Sequence, residues 1–202
     1  MKNNLLFVFV FGSIAFNSIA QQTDMLLKLP MKDSLIVYEE IVNLDDTSLI
    51  KNKIYIGAKS WFVNKFIDAN SVLQLDDKIE GVIMGKGRMT VVAAILNSPP
   101  TYADFTIKID IRDFRYRVSV FDITFISPPS RIESSYKATA TELYHAYLTR
   151  LMPPHLKYTL EGKKGFFKRV GNDLRIVDIE VKDFFPSLKK SINSKAGKSE
   201  DW

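Results

Sequence analysis

The chain contains no cysteine. That absence excludes disulfide staples, thiolate catalysis, thiolate metal sites and a thiol for lipid attachment, so stability has to come from the packed core. Histidine is nearly absent as well: His145 and His155 are the only two. They are separated by Pro153 and Pro154 and lie in no His-Glu-x-x-His arrangement, which argues against a catalytic zinc site and leaves both as surface or capping residues. Glycine and proline number only 9 and 8 among 202 residues, so fibrous and low-complexity classes are excluded and a globular chain with a few defined turns is expected. There is no Gly-x-Ser-x-Gly elbow to activate a serine. Gly81, Gly85 and Gly87 open no helix and match no nucleotide motif. Catalytic residues, metal sites and cofactors are therefore predicted to be none.

The length suits one good-sized core, a single domain with an appendage. The N-terminus sets the expected compartment. Lys2 supplies a positive region, the apolar run over 5–16 follows, and Ser18-Ile19-Ala20 offers a small-x-small cleavage site, so residues 1–20 read as a signal peptide. The run is too short and too often interrupted by Gly12, Ser13 and Asn17 for a membrane span. An exported protein, periplasmic or secreted and without a transmembrane span after cleavage, is the expectation. The formal net charge is +5; cleavage removes Lys2 alone and leaves +4, with basic residues gathered over 157–169 and 189–198.

After a leader over 21–32 with little pattern, residues 34–42 are rich in β-branched side chains and read as a first strand, with Leu35, Val37, Ile41 and Leu44 setting its apolar row. Asp45, Asp46, Thr47 and Ser48 carry helix-capping oxygens. Ile50, Ile54, Ala58 and Trp61 then recur at helical spacing beside Tyr55, Phe62 and Phe66, predicting a helix over 48–67 with one wide apolar face and Trp61 in the core. Strands follow over 72–75 and 82–94, joined by a turn containing Asp76, Asp77 and Glu80. Gly85 and Gly87 within the second mark a bend or a close approach. Phe105, Ile107, Ile109 and Ile111 alternate with polar residues, as do Tyr116, Val118 and Val120, so a hairpin with one buried and one wet face is predicted around Arg112 to Arg115. Pro128 and Pro129 end it.

The remainder reads as helical. Thr139 to Glu142 precede a short amphipathic helix through Leu143, Tyr144, Tyr147, Leu148 and Leu151, stopped by Pro153. Residues 161–165 look like a turn. Leu174, Val177, Val181, Phe184, Phe185 and Leu188 fit a helix that packs on the sheet, with Pro186 requiring a kink or a fresh start. The expected divisions are an α+β domain over 33–128, a C-terminal helical extension over 129–194 and a disordered tail over 195–202.

The predicted fold is α+β: a single antiparallel sheet in the order β-α-β-β-β-β-α with helices on one face. That order is similar to one half of a TATA-binding protein and to helix-grip folds. The chain more specifically resembles the exported family known as domain of unknown function 4468, with a TBP-like fold, found mainly in Bacteroidetes. The resemblance rests on Val37-Tyr38-Glu39-Glu40-Ile41-Val42, on Ile54-Tyr55-x-x-Ala58-Lys59-x-Trp61-Phe62, on Val72-Leu73-Gln74-Leu75-Asp76-Asp77, on the glycine-spaced stretch 81–87 and on Asp113-Phe114-Arg115-Tyr116-Arg117. It implies a fold and export, and it carries no activity and no catalytic residue.

With no catalytic constellation, the expected function is that of a non-enzymatic binding module of the envelope or secreted space. Its ligand would be a small hydrophobic molecule, a glycan or an envelope protein. The alternatives are an assembly protein docking through its C-terminal region, where Phe166-Phe167 and Phe184-Phe185 would engage a partner, and an enzyme with an unrecognised site. Arg112, Phe114, Arg115, Tyr116 and Arg117 form the candidate partner surface. Nucleic acid is not an expected partner, because one repeat cannot build the paired saddle of the DNA binder.

Overall fold

The structure is a computed structural model that describes residues 27–66, 73–92, 100–127, 136–151, 153 and 160–194. The expected signal peptide, the tail over 195–202 and His155 lie outside the described residues.

The leader is built into the molecule. Leu27 and Leu29 are buried, and the Tyr144 hydroxyl donates to the Leu27 carbonyl while accepting from the Leu29 amide. A two-residue turn at Asp33 and Ser34, both at positive φ, joins β1 (Met31–Lys32) to β2 (Leu35–Ile36). The main sheet starts only at β3 (Tyr38–Asn43). This corrects the first strand's phase: Tyr38, Val42 and Leu44 are buried, whereas Leu35 is 56 % and Ile41 62 % exposed. The tight turn at 33–34 shifts the alternation that the β-branched run conceals.

Next comes α1 (Lys51–Lys65), shorter than expected. Its N-cap position is Ile50, which makes no side-chain cap. The oxygens at 45–48 cap their own turn instead, Asp46 accepting from the Ser48 amide. The first free helical amide, that of Lys51, donates to Asp113 on a distant hairpin at 2.8 Å. A tertiary carboxylate thus satisfies a donor that a local side chain usually takes.

The strands that follow are β4 (Leu73–Asp77), β5 (Val82–Val92), β6 (Thr101–Arg112) and β7 (Arg115–Ser127). A further strand, β8 (Tyr136–Thr139), falls in the segment expected to be a helical extension, which therefore also extends the sheet. The order across the sheet is β3-β7-β6-β5-β4, all antiparallel, with β8 pairing to the far half of β7. A bulge interrupts β7: Asp104 pairs with Thr124 but Thr106 with Phe121, and Asp122 adopts φ 53. The extra residue flips the inward phase from Val118 and Val120 to Ile123 and Phe125, all buried.

Two more helices follow among the described residues, α2 (Ala140–Thr149) and α3 (Leu160–Asn193). Thr139 and Glu142 form a reciprocal capping box on α2, and Arg150, at φ 58, ends it. Leu151 lies beyond the helix and is exposed. Replacing Thr139 by alanine is expected to cost about 1 kcal/mol in urea unfolding, because the Glu142 amide then loses its acceptor. The turn expected at 161–165 is instead the first part of α3, and Pro186 lies within that helix without ending it. A stripe of Phe166, Val170, Leu174, Val177, Val181, Phe184, Leu188 and Ile192 is buried along its length. Continuous burial of that stripe outweighs the cost of one missing amide at Pro186, which is itself exposed.

The helices α1 and α3 cross each other and close one face of the sheet. Gly57 permits the crossing, since a Cβ there would lie 2.6 Å from the Ile192 Cα. Trp61 is core, 4 % exposed, with its ring nitrogen donating to the Ser187 hydroxyl at 2.9 Å. Rings of Trp61, Phe62, Phe66, Phe105 and Phe184 fill the space between helices and sheet, with centroids 5.4–6.5 Å apart. Gly87 serves a close approach: a Cβ there would meet the Phe66 ring at 2.9 Å.

Candidate functional site

The helix-covered face takes Ala103, Phe105, Ile107, Ile109 and Ile111 from β6, all buried. Strand geometry sends their neighbours Tyr102, Asp104, Thr106, Lys108, Asp110 and Arg112 to the other face, which no helix among the described residues covers. β7 contributes Arg115, Arg117, Ser119 and Phe121 to that face, and β3 contributes Glu39 and Ile41.

Cross-strand register arranges these residues in rows. Ile41, Arg117, Asp110 and Val82 stand side by side, and the next row is Glu39, Ser119, Lys108 and Met84. Arg117 donates to Asp110 at 2.9 Å, Lys108 pairs with the same carboxylate at 2.7 Å, and Arg88 grips Asp104 through two nitrogens. The Ser119 hydroxyl donates to Glu39, which also pairs with Lys32. Burial pushes the Asp110 carboxyl up, but hydrogen bonds from Lys108 and Arg117 and their charges outweigh it and hold the group below the ordinary carboxylate range. The Arg117 guanidinium is correspondingly raised by its bond to Asp110. Such exposed pairs add little stability each, but together they hold long side chains in fixed positions.

The small residues between them, Ser119 and Thr106, are buried and make a floor. Three depressions lie on this face. One of about 360 Å³ lies over Ser119 between Lys32, Glu39, Lys108 and Thr141. A second of about 430 Å³ is lined by Ile41, Glu80, Arg112, Arg115 and Arg117. The third, of about 450 Å³, lies between Lys86, Arg88, Thr124 and Lys137. Asp110 and Arg117 border both the first and second, and Asp122 borders the first and third, so the three run together along the sheet.

Of the residues singled out by sequence, Arg112, Phe114, Arg115 and Arg117 are exposed at one end of this face. Tyr116 is not; at 1 % exposure its ring is in the core, so it leaves the candidate surface. Its alternation with Val118 and Val120 was the signal that separates it from the arginines. Burial and then the Glu40 charge push its hydroxyl up, and that oxygen has no hydrogen-bond partner. Asp76 is in β4 rather than in the turn, where it accepts from Lys59 at 2.7 Å and from the Tyr55 hydroxyl. Burial and the bond to Asp76 push the Tyr55 hydroxyl up to about 12. Asp77 does close the turn, accepting from the Glu80 amide. His145 is exposed on α2. Phe166, Phe167 and Phe184, expected as docking residues, are buried and unable to meet a partner.

Among the described residues no group of three or more His, Asp or Glu is placed to hold a metal ion, and no helix is long and apolar enough to cross a membrane. The uncovered face offers a fixed array of donors, acceptors and shallow grooves, which suits recognition of a polar surface rather than of a buried apolar molecule.

Residues 38–126 match the family described as a domain of unknown function (DUF4468) with TBP-like fold. No curated protein matches the chain. The fold is similar to that of a TBP-like protein from Parabacteroides distasonis, with a TM-score of 0.55 at 16 % identity over 79 % of this chain and 96 % of that one. It is also similar to a DUF4468 family protein from Bacteroides ovatus, with a TM-score of 0.56 at 14 % identity over 86 % and 93 % of the two chains. At these identities the likeness is one of fold.

Proposed function

We propose that this chain, whose residues 38–126 match the DUF4468 family with TBP-like fold, is a non-enzymatic binding module of the exported space, receiving its ligand on the uncovered face of the sheet. The observation that carries this reading is the asymmetry of the two faces. One is sealed by α1 and α3 and filled with aromatic rings. The other holds three contiguous grooves between charged side chains, several of them already locked in pairs. A preorganised polar array loses little side-chain freedom when a ligand arrives, which favours binding. The filled core favours a glycan or a protein surface over a small hydrophobic molecule. Export is supported by the N-terminal pattern over residues 1–20.

A benzophenone amino acid placed at Phe121, on the uncovered face, inserts into C–H bonds of glycan, lipid or protein alike. In living cells it is expected to yield a recurrent adduct, whereas the same probe at Ile179, exposed on α3, yields none. Adducts from position 179 and none from 121 would overturn the reading and point to the helical side.

A further inference from the structure

Arg112 and Arg115 stand directly opposite each other across β6 and β7, on the uncovered face, at the base of the Asp113-Phe114 turn. Like charges so placed repel, and sheet positions of this kind are ordinarily filled with opposite charges or neutral pairs. Elsewhere this molecule does so. Arg117 and Arg88 are each tied to an aspartate, Arg150 stacks on two rings, and Arg175 bonds Asn172. Among the described residues, Arg112 and Arg115 are the two arginines with neither an ion pair nor a hydrogen bond nor a ring contact.

Both border the groove of about 430 Å³, together with Arg117. Its acids are Asp110, whose charge is engaged by Lys108 and Arg117, and Glu80 on the facing turn. Three guanidiniums therefore meet two carboxylates, one of them already engaged. Apolar side chains border the same end: Ile41 is 62 % exposed and Ile79, beside Glu80, is 86 % exposed. Hydrogen bonds hold this end in place, from the Ile111 amide to the Gly81 carbonyl and from the Lys51 ammonium to the Ile79 carbonyl.

We infer that the Arg112–Arg115 groove is an oxyanion site, taking a carboxylate, sulfate or phosphate group of a ligand between the two guanidiniums. A planar guanidinium donates two parallel hydrogen bonds to such a group, and an anion between two of them removes their mutual repulsion. The exposed isoleucines then meet the uncharged part of the ligand. This inference rests on the reading of the uncovered face as the binding surface and specifies the chemistry at one end of it.

The test is titration of the full mature chain with sodium sulfate, sodium phosphate and glucuronate against sodium chloride at matched ionic strength, read by NMR shifts and melting temperature. The expected result is a saturable response to the oxyanions, weakened at least tenfold in R112Q/R115Q and unchanged in K189Q/K190Q, which removes the same charge from α3. R112Q/R115Q is also expected to melt no lower than wild type at low salt, because a repulsion is gone. Should that double variant fail to fold, R112K/R115K keeps the charge without the fork and is expected to bind more weakly than wild type. Tighter binding of glucuronate than of the inorganic ions points to an acidic sugar. Arginine-dependent co-sedimentation with phosphatidylglycerol vesicles points to a lipid headgroup. Equal responses in wild type and R112Q/R115Q, or a response no greater than chloride produces, would overturn the inference. Persistent adducts from position 121 in that event would leave the broader reading standing.

Discussion

Substituting the buried Gly57 with valine is expected to lower stability by about 3 kcal/mol or more in urea unfolding, among the largest losses any single uncharged substitution in this chain should produce. The new Cβ would meet backbone, the Ile192 Cα at 2.6 Å and its amide nitrogen at 3.3 Å, so no rotamer of a side chain relieves it. The helices must separate instead. That disturbs the hydrogen bond from the Ser191 hydroxyl to the Gly57 carbonyl and the ring packing one turn away at Trp61 and Phe184. Gly165, in α3, provides the opposite case. Nothing lies within 4 Å of its added Cβ, so alanine there is expected to stabilise by about 0.5–1 kcal/mol through helix propensity. A Gly57 variant as stable as wild type would mean that the α1–α3 crossing is looser than described.

The second large effect is expected at Asp173 on α3, 2 % exposed, whose Oδ2 has no hydrogen-bond partner. Burial pushes its carboxyl up from 3.8 to about 6, while the nearby Arg169 charge pulls the other way. The unfolded chain titrates this group near its ordinary value, so between those limits the folded state binds a proton that the unfolded state has released. Stability from this group is therefore fully present below pH 3.8 and is lost as pH rises through about 6. The full difference corresponds to about 3 kcal/mol. Asp173→Asn removes the titration and is expected to stabilise the chain at pH 7.5 by on the order of 2 kcal/mol, since a buried amide still desolvates. At pH 4 the two proteins should unfold at nearly the same urea concentration. Asp76 and Asp110, held below the usual carboxylate range, act in the opposite direction: their contributions are present at neutral pH and fade in acid. The difference between wild type and Asp173→Asn isolates Asp173 from them. A difference that does not change between pH 4 and pH 7.5 would show that the carboxyl is not desolvated.

Much of the architecture was legible in the residues themselves. The alternation around Ile107 and Val118 identified both the central hairpin and its buried face, and the spacing of Ile54, Ala58, Trp61 and Phe62 identified α1. Thr139 and Glu142 marked the start of α2. Errors arose where a local signal was outweighed from a distance. Gly162 and Gly165 read as a turn, yet they lie in α3, because a 34-residue helix that buries an apolar stripe tolerates two weak helix formers. Val37 to Val42 reads equally well in either phase, and only the Asp33-Ser34 turn and the pairing of Tyr38 with Val120 decide which residues face inward.

The candidate site was half legible for the same reason. Sequence marked Arg112, Arg115 and Arg117 as a cluster, but equal spacing along a chain says nothing of partners. Asp110 neutralises Arg117 because register places them side by side, and the same register sets Arg112 against Arg115. Periodicity and composition determined the α+β class, the central helix and the hairpin, and the motif residues carried the family likeness, since each depends on neighbours within a few residues. Only the tertiary structure decided that α1 and α3 cross at Gly57, that β8 extends the sheet, and which arginines lack a counter-charge. Those outcomes depend on register and packing between segments up to 140 residues apart, and no local pattern encodes them.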